Sequence, residues 1–232
     1  MTTMVVCAGH AVYVGMNFLN PEDDVNWYLQ SFQKGEPKFY LGHIKKAVEL
    51  AAEDPESILV FSGGQTRLEA GPLSEGLSYW RLANHFNWWG HDSVKARTLC
   101  EEYARDSFEN ILFSLARFRE YAGTYPGRMA VVSWAFKAER FRLHVEACRF
   151  PVDQYLFVGA NDPDDMAAAL RGEAKAIEGF RKDPYGTQDP LLKKRLERNP
   201  FRRSTPYLLS APEMKGLITH QGPELYNSEL PW

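Results

Sequence analysis

The sequence predicts an α/β fold, a doubly wound and mostly parallel five-stranded sheet flanked by helices. Two patterns carry this expectation. Short unbroken apolar runs recur in "MVVCAGH" near the start, "ILVFSGG" at 58–64, "MAVVSW" at 129–134 and "YLFVGA" at 155–160. Runs of this kind, with no polar alternation, suit strands covered on both faces, as in a parallel sheet. Between them lie segments with apolar residues at helical spacing, and strands alternating with helices build a parallel sheet through right-handed crossovers.

The elements follow in order. The first strand opens the chain and leaves little room for a targeting segment. "FYLGHIKKAVELAAEDP" then places Leu41, Ile44, Ala47, Val48 and Ala51 on one helical face. After the second strand, "SEGLSYWRLANHF" opens with a Ser-Glu pair and carries Leu77, Trp80 and Ala83. A further strand is expected within "DSVKARTLCEE". The helix after it starts at Asp106 and carries Phe108, Ile111, Leu112, Leu115 and Phe118. One more helix, from about Lys137 to Cys148, separates the last two strands. Composition changes near residue 180, where basic residues outnumber acidic ones and prolines recur. This divides the chain into an α/β domain, 1–180, and a C-terminal extension, 181–232, which packs on it as an extended arm. The arm holds one short helix, "DPLLKKRLER", and ends in a turn-rich segment with aromatic anchors.

Composition narrows the functional classes. With 232 residues, 44% hydrophobic and 25% charged, the chain reads as one soluble globular unit. A net charge of −3 gives no global footprint for nucleic acid, although a local basic patch stays open. No apolar run is long enough to cross a membrane. Cys7, Cys100 and Cys148 are odd in number and lack CxxC spacing, so they read as buried reduced thiols in a cytoplasmic protein. The histidines form no HxxxH or HxH pair, so no dedicated zinc site is expected.

Ligands of doubly wound sheets bind beyond the carboxyl ends of the strands. The residues there are Gly9 and His10, then Ser62, Gly63 and Gly64, then Glu101, then Ser133 to Lys137. "SGGQTR" reads either as a tight turn or as a cradle of backbone N–H groups for an anion. It is neither a GK[ST] phosphate loop nor a GxGxxG fingerprint, and no GxSxG elbow occurs. Lys137, Arg140 and His144 share helical spacing, with Lys137 near a helix N-terminus that already favours anions. His144 is expected at the surface or in packing. Asp106 and Glu109 fit a capping box. Glu101, Ser107 and Asn110 are left over from that assignment and read as one wall of a site.

In this order, "SGG", "SEG", "EEYARDSFEN" and "SWAFKAERF" resemble the DUF218 domain family, the group of YdcF-, SanA- and ElyC-like proteins. The resemblance covers about residues 4–160, and the remainder looks like the extension of eukaryotic, fungal-type members. It implies a Rossmann-like fold and a site drawn from Ser62, Gly63, Gly64, Ser74, Glu75, Glu101, Asp106, Ser107, Glu109, Asn110 and Arg140. Two positions depart from the family pattern. Lys137 stands where the family has histidine, and Gly76 stands at the small residue of Ser-Glu-Ala. A lysine keeps a cation in place but shuttles protons at neutral pH less readily than histidine.

The expected function is binding or processing of a small anionic ligand, phosphorylated or nucleotide-like. Lys137 and Arg140 would hold the anion, and Glu75 or Glu101 would act as base or hold Mg²⁺. As an enzyme, the chain would be a hydrolase or transferase acting on a phosphorylated small molecule. The alternative is a non-catalytic module for a nucleotide or for S-adenosylmethionine, a ligand that the resemblance implies. A third reading gives the basic arm an acidic protein partner.

Overall fold

The structure, a computed structural model, describes residues 2–232. Its strands are β1 (Thr3–Ala8), β2 (Val12–Tyr13), β3 (Trp27–Tyr28), β4 (Ile58–Ser62), β5 (Thr98–Glu101), β6 (Arg128–Ser133) and β7 (Tyr155–Gly159). The α-helices are α1 (Pro37–Glu53), α2 (Glu75–His85), α3 (Asp92–Lys95), α4 (Ser107–Ala122), α5 (Ala138–Ala147), α6 (Met166–Lys182), α7 (Leu191–Glu197), α8 (Tyr207–Ser210) and α9 (Lys215–Ile218).

Five strands form one parallel sheet in the order β5-β4-β1-β6-β7. All five expected strands are present. The chain winds outward from β1 through β4 to β5, then crosses back to place β6 and β7 on the other side of β1. This is the Rossmann-like arrangement, and its switch point lies between the carboxyl ends of β1 and β6. Those ends deliver Gly9 and His10 from one strand and Ser133 and Trp134 from the other. A crevice opens there because the two connections leave in opposite directions.

Alternating residues of β1 serve two separate cores. Met4, Val6 and Ala8 pack with Phe108, Ile111 and Leu115 of α4 and Phe141 and Val145 of α5. Val5 and Cys7 pack with Ile44, Ala47 and Val48 of α1 and Tyr79 and Leu82 of α2. The buried face of α2 is therefore Tyr79, Leu82 and Ala83, whereas Leu77 and Trp80 are half-buried. Cys7 and Cys148 are buried free thiols, while Cys100 is half-buried.

The arm is part of the domain's packing. Tyr185, Tyr207, Ala211, Met214 and Leu217 complete the core on the α4 side. The Tyr185 hydroxyl donates to the Ala147 carbonyl at 3.1 Å, and the Trp232 indole donates to the Arg149 carbonyl at 2.9 Å. The short helix expected in the arm is α7.

Several features were not expected from the sequence, among them α3 and two further arm helices, α8 and α9, beside the single one predicted. A small antiparallel pair, β2 with β3, precedes α1. The 17-residue helix α6 precedes the arm, opened by Asp165, whose carboxylate accepts from the Ala168 amide at 2.9 Å.

Helix α4 begins where the sequence places it. Asp106 accepts the Glu109 amide at 2.9 Å, and Gly123, with φ of 72°, ends the helix in the left-handed region. The reciprocal half of the capping box is displaced by one residue. Glu109 accepts from the Arg105 amide at 2.9 Å rather than from that of Asp106. No described helix is long and apolar enough to cross a membrane.

Candidate functional site

A cavity of about 740 Å³ opens at the switch point, within the range of small-molecule sites. Gly9 and His10 reach it from β1, Glu75 from α2, and Asp106, Ser107 and Asn110 from α4. Lys137 and Arg140 reach it from the β6–α5 turn and α5, and Lys194 and Arg198 from the arm. Phe39, Trp134 and Phe136 form an aromatic wall, with Trp134 5.2 Å from Phe39 and 6.0 Å from Phe136 between ring centroids.

Several cations of the cavity stand beyond ion-pair distance of its carboxylates. Arg140 is paired with Glu173 at 2.8 Å, but Lys34, Arg67, Lys137, Lys194 and Arg198 have no ion-pair partner among the described residues. Burial, reinforced by repulsion from Arg140, pushes the Lys137 ammonium down to about 7. A lysine lowered to that extent can exchange a proton near neutral pH. Lys137 Nζ lies 3.4 Å from His10 Nδ1, and His10 Nε2 lies 3.3 Å from Ser133 Oγ. Burial and the Lys137 charge hold His10 well below its ordinary value, so the ring is neutral. A protonated Lys137 therefore donates to Nδ1, and the Nε2–H donates to Ser133. Ser133 does not line the cavity; it orients His10.

Ser107 sits at the first turn of α4 with its hydroxyl 2.7 Å from His144 Nε2 and 3.2 Å from Arg140 Nη1. His144 is fully buried and packs against Phe108, Phe141 and Phe180, not at the surface. Its Nδ1 has no partner, and burial pushes its pKa down to about 3. An orphaned buried N–H costs more than an orphaned lone pair, which assigns the proton to Nε2. Ser107 Oγ then accepts from both His144 and Arg140, leaving its own O–H to donate into the cavity.

The lining carboxylates are each engaged. Thr66 Oγ1 donates to Glu75 at 2.6 Å, and burial pushes the Glu75 carboxyl up. Gly9 and Gly63 make room for this side chain, because a Cβ at either position would come within about 2.7 Å of it. Glu36 accepts the Tyr40 hydroxyl and is also pushed up by burial. Asp106 is tied to Arg195 at 2.7 Å. No group of three or more His, Cys, Asp or Glu suited to a metal ion occurs among the described residues, so these side chains do not fit a protein-held Mg²⁺. The same cations repel the sulfonium and ammonium of S-adenosylmethionine and attract its carboxylate.

Several expected site residues lie outside the cavity. Glu101 is fully buried, and its carboxylate accepts Ser62 Oγ and the Tyr103 amide, each at 2.7 Å, and Tyr207 Oη at 3.3 Å. The Asn110 amide group continues this chain by donating to Ser62 Oγ at 2.9 Å. Glu101 thus joins the ends of β4 and β5 to the arm and faces no ligand. The Gly63 and Gly64 amides donate to the Glu101 and Ala104 carbonyls at 3.0 and 2.7 Å, so "SGG" is no anion cradle. Ser74 caps α2 at the Leu77 amide and donates to Glu102. Glu109 is bound by Arg105 and Arg195.

Burial pushes Glu101 up to about 7 from 4.5. A carboxyl raised on folding binds protons more tightly in the native state, so its contribution to stability falls as pH rises from about 4.5 to 7. Glu101→Gln should remove that slope. Unfolding in urea at several pH values should show the variant gaining on wild type across this window. A pH-independent difference would contradict the structural role.

Sequence reasoning missed Arg67, Lys194, Arg198 and the aromatic wall. The arm cations were not assigned to the site because the residues they meet lie far away in sequence.

No protein-family profile matches the chain, and no solved structure matches it. An uncharacterized protein of Saccharomyces cerevisiae, YOR238W, is 28% identical over 234 aligned positions, which cover 78% of this chain and 76% of that protein.

Proposed function

We propose that this chain binds a small phosphorylated or nucleotide-like anion at the switch-point cavity, as a DUF218-like protein would at its strand ends. The observation that carries this reading is the set of five cations without an ion-pair partner among the described residues, Lys34, Arg67, Lys137, Lys194 and Arg198, around one cavity. Like charges gathered around one cavity repel one another, and an anionic ligand removes that cost. The Ser107 hydroxyl adds a neutral donor.

Lys137 and His10 equip the site for proton transfer, which suits a hydrolase or transferase acting on a phosphorylated molecule. The favoured second reading is binding without turnover. It is supported by Ser107, whose candidate base His144 is too deeply buried to take up a proton readily.

A melting-temperature panel of phosphoesters and nucleotides, with and without Mg²⁺, tests both readings. A ligand at a hundredfold excess over its dissociation constant should stabilise the protein by about 2.7 kcal/mol. Release of phosphate, lost in Lys137→Met, would select the enzyme. Stabilisation without product would select the module. No shift with any phosphorylated compound would remove the proposal.

A further inference from the structure

We infer that the ligand is a nucleoside di- or triphosphate, with its phosphate chain clamped by Lys194 of α7 and Arg198 at that helix's C-terminal cap and its base on the aromatic wall. This rests on the anionic-ligand reading above and names the ligand class.

Charge is the first argument. One phosphoryl group carries about −1.5 to −2 at pH 7. The cavity offers Lys34, Arg67, Lys137, Lys194 and Arg198 beyond the Arg140–Glu173 pair, more positive charge than a monophosphate satisfies. The lining carboxylates leave that excess standing. Asp106 and Glu173 are ion-paired, Asp164 faces Lys38 at 2.9 Å, Asp165 caps α6, Glu36 accepts the Tyr40 hydroxyl and Glu75 accepts Thr66 Oγ1 at 2.6 Å.

The second argument is the way α7 is held. Arg195 is buried and reaches Asp106 at 2.7 Å, which fixes the helix against α4. Arg198 Nη1 donates to the Arg105 carbonyl at 3.1 Å, and Arg203 donates to the Glu102 carbonyl at 2.8 Å. With the helix fixed, Lys194 and Arg198, one turn apart, share its cavity-facing side. The arm thus presents two cations at the cavity without using either in an ion pair.

The third argument is the opposite wall. Lys137 lies 5.6 Å from the Phe136 ring, so the aromatic surface adjoins the cationic one. A ligand with a planar base and a polyanionic tail matches both surfaces. A sugar phosphate or inorganic phosphate would leave the aromatic wall uncovered.

Calorimetric titration in EDTA tests the inference with nucleoside mono- and triphosphate, inorganic phosphate and inorganic triphosphate. The triphosphate should bind wild type about tenfold or more tightly than the monophosphate, each added charge-assisted contact contributing on this scale. Inorganic triphosphate should bind roughly tenfold more weakly than its nucleoside counterpart, which gains base stacking. In Lys194→Ala/Arg198→Ala both affinities should fall, the triphosphate's by about tenfold more than the monophosphate's, so that the preference for the longer chain collapses. Lys194→Gln alone, which leaves the Arg198 anchor in place, should lose part of the preference should the double variant fail to fold.

Equal affinity for mono- and triphosphate in wild type overturns this inference alone and leaves the anionic-ligand reading intact. So does a double variant, or Lys194→Gln, that keeps the full preference. Absence of binding by every compound overturns both.

Discussion

Replacing Asp106 by alanine should lower the unfolding free energy by about 3–5 kcal/mol, the range for removing one partner of a buried ion pair. The substitution does two things at once. It removes the cap of α4, where Asp106 accepts the Glu109 amide at 2.9 Å, and it strips Arg195 of its 2.7 Å partner. Arg195 is 8% exposed and keeps only Glu109 at 3.5 Å.

Asp106→Asn keeps a capping oxygen and loses the charge, so it should fall between wild type and alanine. Burial pushes the Asp106 carboxyl up, but the Arg195 charge and hydrogen bond outweigh it and hold the group below its ordinary 3.8. A depressed carboxylate contributes stability above its unfolded value and loses it as pH falls through the folded one. The gap between wild type and Asp106→Asn should therefore close below about pH 4. Denaturant unfolding at pH 3 and pH 7 checks this. Loosening α7 should also weaken ligand binding, because Lys194 and Arg198 depend on that anchor.

Lys137→Met should bind a phosphorylated ligand about tenfold or more weakly and yet melt at a higher temperature than wild type. Both effects come from one cause. Burial and Arg140 lower the Lys137 ammonium to about 7 from 10.5, so the folded state works against its charge below the ordinary lysine value. Stability tied to this group therefore falls as pH drops from about 10.5 toward 7, and methionine escapes that loss. Anion binding needs the protonated form, so wild-type affinity should fall as pH rises through 7 while that of the variant stays flatter. A variant that binds more weakly but is also less stable would point to ordinary damage.

The sheet was legible because its strands are buried on both faces, and such strands read as unbroken apolar runs. Helix α6 was not legible. Only Glu173 and Phe180 of its 17 residues are buried, and its apolar face is built largely of alanines and interrupted by the buried Glu173. The site divides along the same line. His10, Lys137 and Arg140 were found because position after a strand, or spacing on a helix, is a local property. Glu101 closes a strand and Glu75 opens a helix, and the sequence offered both as the base. Only the folded chain shows Glu101 enclosed by Ser62 and Tyr207, and Glu75 open to the cavity.

Contacts distant in sequence account for the rest. Arg195 meets Asp106 across 89 residues, and the Gly63 amide meets a carbonyl of the next strand. No spacing rule reports either contact. The glycines of "SGG" follow from close packing against Glu75 and Ala104, and an anion was not needed to explain them.

The central claim is that the partnerless cations at the switch point are completed by an anion. Calorimetric titration of wild type and Lys137→Met with a nucleoside triphosphate, repeated near pH 7 in two buffers of different ionisation heat, tests it most directly. Wild type should take up about half a proton more than the variant on binding, because an anion raises the Lys137 ammonium from its half-protonated state. Binding with the same proton count in both proteins, or no binding at all, would contradict the account.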